Sequence, residues 1–319
     1  MNMNYSVEET NGVELLAESN GCSVYRLRNE GGEGIITMYQ LFPGVCLGFN
    51  DFHMQYYDSQ FVPGQDMFCI DHCREGRMEC PASEEAYSYV EAGDIKLDRR
   101  LSHEGRFEIP LKHYHGAMVC MDLNVACDSI KQEMKDFPVD LKNLQEKFCS
   151  GIYPIVLHGE MAFEHIFGEI YAVPQRIKIP YFKIKVLELL LYLDAMELPE
   201  KPLEKPYFYK TQVEKVKAIQ EFISLHLDEN FTQEELAERF DISLTTMKQC
   251  FKTVYGSTIA TWLLQYRMNH AAVQLKSDKE QSIADLAGMV GYDSPSKFAI
   301  AFRKVMGMSP TEYRERQHL

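Results

Sequence analysis

Positive charge is scarce in this chain. Of its 319 residues, 33 are lysine or arginine against 47 aspartate or glutamate, a formal net charge of −14, which argues against a protein that holds polyanions by bulk attraction. Long apolar runs are also missing. Val186 to Leu193 is too short for a bilayer and contains Glu188, so no membrane partner is expected. No apolar stretch follows a basic start, so no secretory leader is expected either. Nine cysteines, scattered and odd in number, lack the pairing of a secreted disulfide framework and suit reduced thiols. A cytoplasmic protein is the resulting expectation.

The charge deficit is uneven. From Tyr207 onward 14 lysines and arginines meet 14 aspartates and glutamates, so the acidic excess belongs to the first two-thirds and a locally basic face remains open to the last third. That last third also carries the densest helix-boundary chemistry. Thr232-Gln233-Glu234-Glu235 and Ser282-Ile283-Ala284-Asp285 each set a hydroxyl three residues ahead of a carboxylate, which starts a helix by satisfying orphan backbone donors. In the first unit Leu236, Ala237 and Phe240 form a stripe, Asp241-Ile242-Ser243 interrupts it, and Ser243 caps a second helix. There Leu244, Met247, Phe251 and Val254 face inward and Thr245, Thr246, Lys248, Gln249 and Lys252 outward, until Gly256 ends it. The second unit repeats the plan. Leu286, Ala287 and Val290 pack, Gly291 turns, Ser294-Pro295 opens a helix with Phe298, Phe302 and Val305 inward, and Gly307 closes it. Ser296, Lys297, Ile300, Arg303 and Lys304 then face outward. Ser309-Pro310-Thr311-Glu312 reads as a further capping box.

Two helix-turn-helix units, 232–256 and 282–307, are thus predicted, joined by one breaker-free helix over Ile259–Lys276 of about 27 Å at 1.5 Å per residue. A spacer of that size can present two helices to successive major-groove segments, about 34 Å apart on one face of a duplex. Ala284-Asp285-Leu286-Ala287, Val290-Gly291-Tyr292, Phe302-Arg303-Lys304 and Gly307-Met308-Ser309-Pro310-Thr311-Glu312-Tyr313-Arg314 resemble the signature of the AraC/XylS family of bacterial transcription regulators. The likeness extends back through Arg267, Phe251-Lys252 and Leu236-Ala237 and covers about the last hundred residues. It implies base contacts from Thr245, Lys248 and Gln249 in the first unit and from Pro295, Ser296 and Ile300 in the second, with Ser243, Thr246, Lys252, Ser294, Lys297, Arg303 and Lys304 completing the DNA face. Ile300 stands where the family can carry an arginine. It leaves two options, a thymine-methyl contact or a second unit that mainly grips phosphate through Ser296, Lys297, Arg303 and Lys304, and the latter is favoured.

From Cys22 to about Leu123, short β-leaning runs alternate with turns such as Gly31-Gly32, Pro43-Gly44, Pro63-Gly64 and Gly93-Asp94, the spacing of a sandwich or small barrel. With the resemblance, this implies a cupin-like or jelly-roll domain over 1–127 that holds a small effector. Tyr56, Phe68, His72, Tyr87 and Tyr89 are the candidate effector contacts. Residues 128–198 read as helical, with helices over Ile130–Phe137, Leu141–Phe148 and Ile179–Met196. In the last of these Ile184, Leu187, Leu190, Leu191 and Met196 give an apolar face that can pack on the chain's own core or pair with a second copy. Proline-rich 199–210 is the expected linker and 211–319 the DNA-binding domain.

The fold class is therefore α+β in two domains: a β-rich, cupin-like domain with a helical dimerisation region, then an all-α domain with two helix-turn-helix motifs. The expected function is sequence-specific regulation of transcription, most often activation in this family, with promoter DNA, RNA polymerase, an effector and a second copy of the chain as partners. No enzyme activity and no cofactor are expected. The alternative is a metal- or redox-responsive regulator using Cys69, His72, Cys73 and Cys80. Strand alternation speaks against that set, because Cys69 and Cys73 share a face that His72 does not. His113-Tyr114-His115 has the spacing of a metal-binding cupin but lacks the following glutamate. A DNA-repair module with an alkyl-accepting cysteine would need a tight zinc-binding cysteine set, which the same alternation disfavours.

Overall fold

The computed structural model describes residues 12–61, 66–100, 103–151, 153–159, 161–198, 207–277 and 280–316. The chain divides into two compact units, before and after Tyr207/Phe208; most of the expected linker, 199–206, lies outside the described residues.

The first unit is built on strands β1 (Val13–Ser19), β2 (Cys22–Asn29), β3 (Gly32–Phe42), β4 (Val45–Met54), β5 (Tyr56–Phe61), β6 (Met67–Ser83), β7 (Ala86–Glu91), β8 (Ile95–Asp98), β9 (His103–Glu108), β10 (Tyr114–Asp122) and β11 (Ile155–Leu157). The main sheet runs β1-β2-β3-β4-β10-β6-β7, β8 pairs with β6 and β11 with β8, and β5 and β9 form a separate ladder. Each of these pairings is antiparallel, and β4 and β6 flank β10, with Gly116 opposite Asn50 on one side and Cys73 on the other. Alternation gives each strand two destinations. Leu47, Phe68, Ile70, Ile95, Leu97, Ala117 and Val119 join the main hydrophobic core. Their neighbours Asp71, Lys96 and Met118, with Asn50 and Tyr114, face an interior cavity.

The helical layer packs on the first of these faces. It comprises α1 (Leu123–Glu133), α2 (Leu141–Phe148), α3 (Met161–Tyr171) and α4 (Lys178–Ala195), which contribute Ala126, Leu144, Phe167, Phe182 and Leu189 to the shared core. Three expectations need correction. The helical region begins at Leu123 rather than 128, because the Asp122 carboxylate accepts the Asn124 backbone N–H and caps α1 there. That helix ends at Glu133, short of the expected Phe137, and β11 interrupts the otherwise helical stretch by pairing with β8.

The second unit contains α5 (Lys210–Leu225), α6 (Gln233–Arg239), α7 (Leu244–Tyr255), α8 (Ile259–Ser277), α9 (Ile283–Met289), α10 (Pro295–Met306) and α11 (Pro310–Arg316). Helices α6/α7 and α9/α10 are the two helix-turn-helix pairs, and α8 is the helix between them. Its Met268, Ala271, Ala272 and Leu275 pack with Leu286, Ala287, Val290, Phe298 and Phe302 of the second pair.

Candidate nucleic-acid interface and interior cavity

The two pairs repeat each other residue by residue. Thr232, Leu236, Ala237 and Asp241 recur 50 positions later as Ser282, Leu286, Ala287 and Gly291, whereas Ser243, Met247, Phe251 and Gly256 recur 51 later as Ser294, Phe298, Phe302 and Gly307. The second turn is one residue longer. Both turns place a left-handed residue at the matching point, Asp241 at φ 48° and Gly291 at φ 76°. The residue after it donates back to the matching alanine, Ile242 N–H to Ala237 O and Tyr292 N–H to Ala287 O.

The caps are chemically unequal. Thr232 and Glu235 form a reciprocal capping box, and Ser309 and Glu312 do the same at α11. Ser282 accepts the Asp285 backbone N–H, but its hydroxyl donates to the Asp285 side chain, so the pair is not reciprocal. Ser243 caps α7 by accepting the Thr246 N–H, and its hydroxyl donates to Thr246 Oγ1 at 2.8 Å, so these two side chains engage each other. Ser294 occupies the N-cap of α10 without a side-chain cap bond. Both C-caps, Gly256 and Gly307, are left-handed.

On α7 the exposed set is Thr245, Lys248, Gln249 and Lys252; Thr246 is half-buried. Cys250, which the sequence reading passed over, is buried beside Met247 and Phe251. On α10 Pro295, Ser296, Lys297, Arg303 and Lys304 are exposed, and Ile300 is 72% exposed at the centre of that face. An isoleucine so fully in water gains from any apolar surface that covers it.

A buried arginine holds the second turn. Arg267 of α8 donates to Glu229 O at 2.6 Å and Asn230 Oδ1 at 3.0 Å, in the segment just before α6, while Asn230 Nδ2 donates to Gly291 O at 3.1 Å. Burial lowers its guanidinium from the ordinary arginine value, with Tyr292 and Asp228 opposing the shift. The bracket ties the loop that starts the first pair to the turn inside the second, so it fixes how the two pairs are presented.

In the first unit the inward-facing residues enclose a cavity of about 150 Å3, and each of β1 to β10 supplies at least one lining side chain. Leu27, Ile36, Met38, Phe52, Val90, Phe107 and Met118 make it apolar. One part of the wall is ionic. Asp71 accepts from Arg100 Nη2 at 2.8 and 3.0 Å, and Lys96 Nζ lies 3.0 Å from Asp71 and 2.9 Å from Asp98. Burial alone would lower the Lys96 ammonium, but Asp71 and then Asp98 overcome it and hold it above the usual lysine range. Asn50 Oδ1, also at the wall, is buried and accepts no hydrogen bond among the described residues.

None of the five expected effector contacts lines this cavity. Tyr56 lies under the Arg106 guanidinium, 3.7 Å from its ring centre. Phe68 is in the helix-facing core, Tyr89 is buried with its hydroxyl on Glu79, and Tyr87 is half-buried on β7. His72 stacks on Phe167 at 4.2 Å and shares a hydrogen bond with the Tyr171 hydroxyl at 3.2 Å, beside a second, more open depression that also involves Arg74 and Glu164. Three of the five miss by one residue, since Tyr57, Asp71 and Val90 point inward where Tyr56, His72 and Tyr89 do not. A single step along a strand exchanges its faces. Lys96 was legible by the same rule, as the one charge between the apolar Ile95 and Leu97.

The cysteine set is dispersed. Cys69 packs with Met67 and Cys120, Cys73 and Cys80 belong to a cluster with Phe52 and Tyr114, and His72 faces the helices. Burial pushes the Cys46 thiol up to about 12 and raises Cys69 well above the ordinary thiol value, which lowers the thiolate fraction that redox or alkyl-transfer chemistry needs.

Comparison with known proteins concerns mainly the second unit. The family model described as a helix-turn-helix domain matches residues 236–316. The chain is 30% identical over 129 residues to the HTH-type transcriptional regulator ExsA of Pseudomonas aeruginosa, a match covering 40% of this chain and 46% of that one. It is 33% identical over 94 residues to the melibiose operon regulatory protein of Escherichia coli, covering 30% and 31%. The chain thus spans under half the length of the curated relatives it matches. Among solved structures, the DNA-binding domain of AdpA in complex with a target DNA is 30% identical with a TM-score of 0.31, covering 32% of this chain and 91% of that one. ToxT from Vibrio cholerae is 12% identical with a TM-score of 0.32, covering 84% and 97%. No helix among the described residues is long and apolar enough to cross a membrane.

Proposed function

Since the chain belongs to the AraC family of transcription regulators through its C-terminal domain, we propose that it regulates transcription by clamping promoter DNA with both helix-turn-helix pairs, under control of a small molecule bound in the first unit. One observation carries the proposal: two matched turns are each followed by a helix with an exposed polar face, and Arg267 ties the loop that starts the first pair to the turn of the second.

The two pairs divide the work. Thr245, Lys248 and Gln249 stand exposed at the start and middle of α7 and read base edges, with Lys252 on phosphate, while Ser243 and Thr246 serve the helix cap. Ser296, Lys297, Arg303 and Lys304 grip phosphate around Pro295 and Ser294, and Ile300 sits against the groove, where a thymine methyl would cover it. A second copy joins through α4. Ile177, Ile184 and Leu191 are exposed at a seven-residue spacing along that segment, the interval that brings side chains to one seam between paired helices. Two such clamps on one dimer would gain affinity through effective concentration. Activation by contact with RNA polymerase follows family habit, and a cytoplasmic location follows from acting on bacterial promoter DNA.

The curled sheet with a common interior supports the cupin-like reading, and the cavity fits a mostly apolar effector with one polar end. That end would lie against Asp71, Lys96 and Arg100 and offer Asn50 Oδ1 a donor.

The test is selection of binding sites from random duplex DNA by the purified chain, followed by affinity measurement across salt. One enriched motif with two recognition segments in phase is the expected result, and no enrichment would refute sequence-specific regulation. Lys248→Ala should erase discrimination between the selected site and random DNA. Arg303→Ala should weaken both alike and reduce the salt slope by about 0.9. Equal loss of specificity in the two variants would overturn the division of labour.

A further inference from the structure

On the outer side of the sheet, the strand register assembles a group of side chains that neither DNA reading nor the cavity uses. His115 of β10 is paired with Asp51 of β4 on one side and with Glu75 of β6 on the other. The adjacent Tyr114 and Phe52 point into the cavity, so alternation puts His113, His115, Asp51 and His53 together on the opposite face. Ring centres are 4.9 Å apart for His113 and His115, 5.2 Å for His53 and His113, and 6.0 Å for His53 and His115. One ring nitrogen from each lies within 4.8 Å of the other two. Behind them stand two carboxylates. Asp51 Oδ1 is 3.0 Å from His53 Nε2 and also bonds His115, while Glu75 Oε2 is 3.4 Å from His113 Nε2.

This grouping has no packing explanation, because the imidazoles are half-buried or exposed, His53 to 61%. We propose that His53, His113 and His115 bind a divalent transition-metal ion of the zinc type, with Asp51 as the fourth ligand and Glu75 orienting the His113 ring.

The donor set and the scaffold both fit. Imidazole nitrogen with one carboxylate oxygen suits zinc, nickel and copper far better than magnesium or calcium, which prefer oxygen throughout. Tetrahedral zinc, with bonds of about 2.0–2.1 Å, sets its ligand atoms about 3.3 Å apart. The Asp51 to His53 separation of 3.0 Å is already close to that. The three ring nitrogens, within 4.8 Å of one another, must draw in by at most about 1.5 Å, a shift within reach of rotamer adjustment at these half-buried and exposed side chains. Placement outside the sheet interior separates this site from the effector cavity, and its occupancy does not depend on the DNA-binding reading.

The experiment titrates the chelator-treated full chain with cobalt(II) and then with zinc. One equivalent of cobalt should give the intense visible absorption of a tetrahedral nitrogen–oxygen site, and one equivalent of zinc should bleach it. His113→Ala with His115→Ala should weaken zinc at least about 100-fold, and Asp51→Asn about tenfold, by the usual worth of ligands and their supports. His53→Gln, a single change at an exposed position, should also weaken it, and circular dichroism without metal checks that each variant is folded. Cys22→Ser with Cys127→Ser should leave binding unchanged. Undiminished zinc affinity in the folded histidine variants would overturn the proposal. So would a near-ultraviolet thiolate-to-cobalt band, or no saturable binding at micromolar zinc.

Discussion

Replacing Gly291 by alanine tests the Arg267 bracket directly. Gly291 has φ 76°, and a Cβ there would stand 2.4 Å from Arg267 Nη2 and 2.7 Å from Leu227 O. The carbonyl belongs to the backbone and cannot step aside, so the arginine must. Displacing it breaks at least one of its bonds to Glu229 O and Asn230 Oδ1, each worth about 1.5–3 kcal/mol for a charged donor. The left-handed backbone adds about 1–2 kcal/mol for any residue with a side chain. Gly291→Ala should therefore destabilise the second unit by about 3–5 kcal/mol. Gly307→Ala is the control, because φ is 77° but a Cβ there meets nothing within 4 Å, leaving only the backbone cost of about 1–2 kcal/mol. Denaturant unfolding followed by tryptophan fluorescence isolates this unit, since the sole tryptophan, Trp262, lies in α8 against Phe251, Tyr255 and Tyr266. If the two substitutions cost the same to within about 0.5 kcal/mol, the ordinary scatter of additive estimates, the bracket does not hold the turn.

Three further outcomes are expected. His72 is pulled down to about 4 by burial, with Arg74 adding and Asp94 opposing, so between that value and the unfolded value of about 6.5 the unfolded chain binds the extra proton and stability falls as pH falls, by about 3 kcal/mol across the window; His72→Phe, which keeps the stack on Phe167, should flatten the pH dependence of unfolding seen by circular dichroism, and an unchanged slope would reject His72 as its source. Thr232→Ala should cost about 1 kcal/mol in the tryptophan-monitored transition through loss of its cap, while Ser294→Ala, whose hydroxyl caps nothing, should stay within about 0.5 kcal/mol. Ile184→Glu with Leu191→Glu should convert a dimer to monomer in sedimentation analysis, and an unaltered oligomeric state would remove α4 from the interface.

Much of the second unit could be read from the chain because its signals are local. Capping residues, apolar stripes and terminal glycines act within a turn or two of themselves, and the starts expected at Thr232, Ser243 and Ser282 are those observed. The first unit depended on strand parity, which a sequence states only when polar and apolar residues alternate cleanly. In β6 the run Phe68-Cys69-Ile70-Asp71-His72-Cys73 is buried on both faces, so nothing local distinguishes the cavity side from the helix side. In that run the sequence reading names His72, whereas Asp71 lines the cavity. The roles of Arg100 and Arg267 were out of reach for another reason: each is defined by partners distant in sequence, Asp71 for one and Asn230 for the other.

The two turns show how far a sequence can hide a repeat that the backbone keeps. Position 291 must be glycine because Arg267 fills the space a Cβ would need, whereas Asp241 adopts the same left-handed conformation at the matching point of the first pair. There the turn is held from outside. Lys215 of α5 donates to both the Asp241 carbonyl and its carboxylate, the latter at 3.0 Å. One turn is thus secured by a buried arginine behind a glycine, the other by a half-buried lysine on an exposed aspartate. Surface ion pairs are worth little, about 0–1 kcal/mol, so the first turn is the softer of the two. The pair proposed to read bases, in α6 and α7, can then adjust its turn to a groove, while the pair proposed to grip phosphate stays fixed to the loop between α5 and α6.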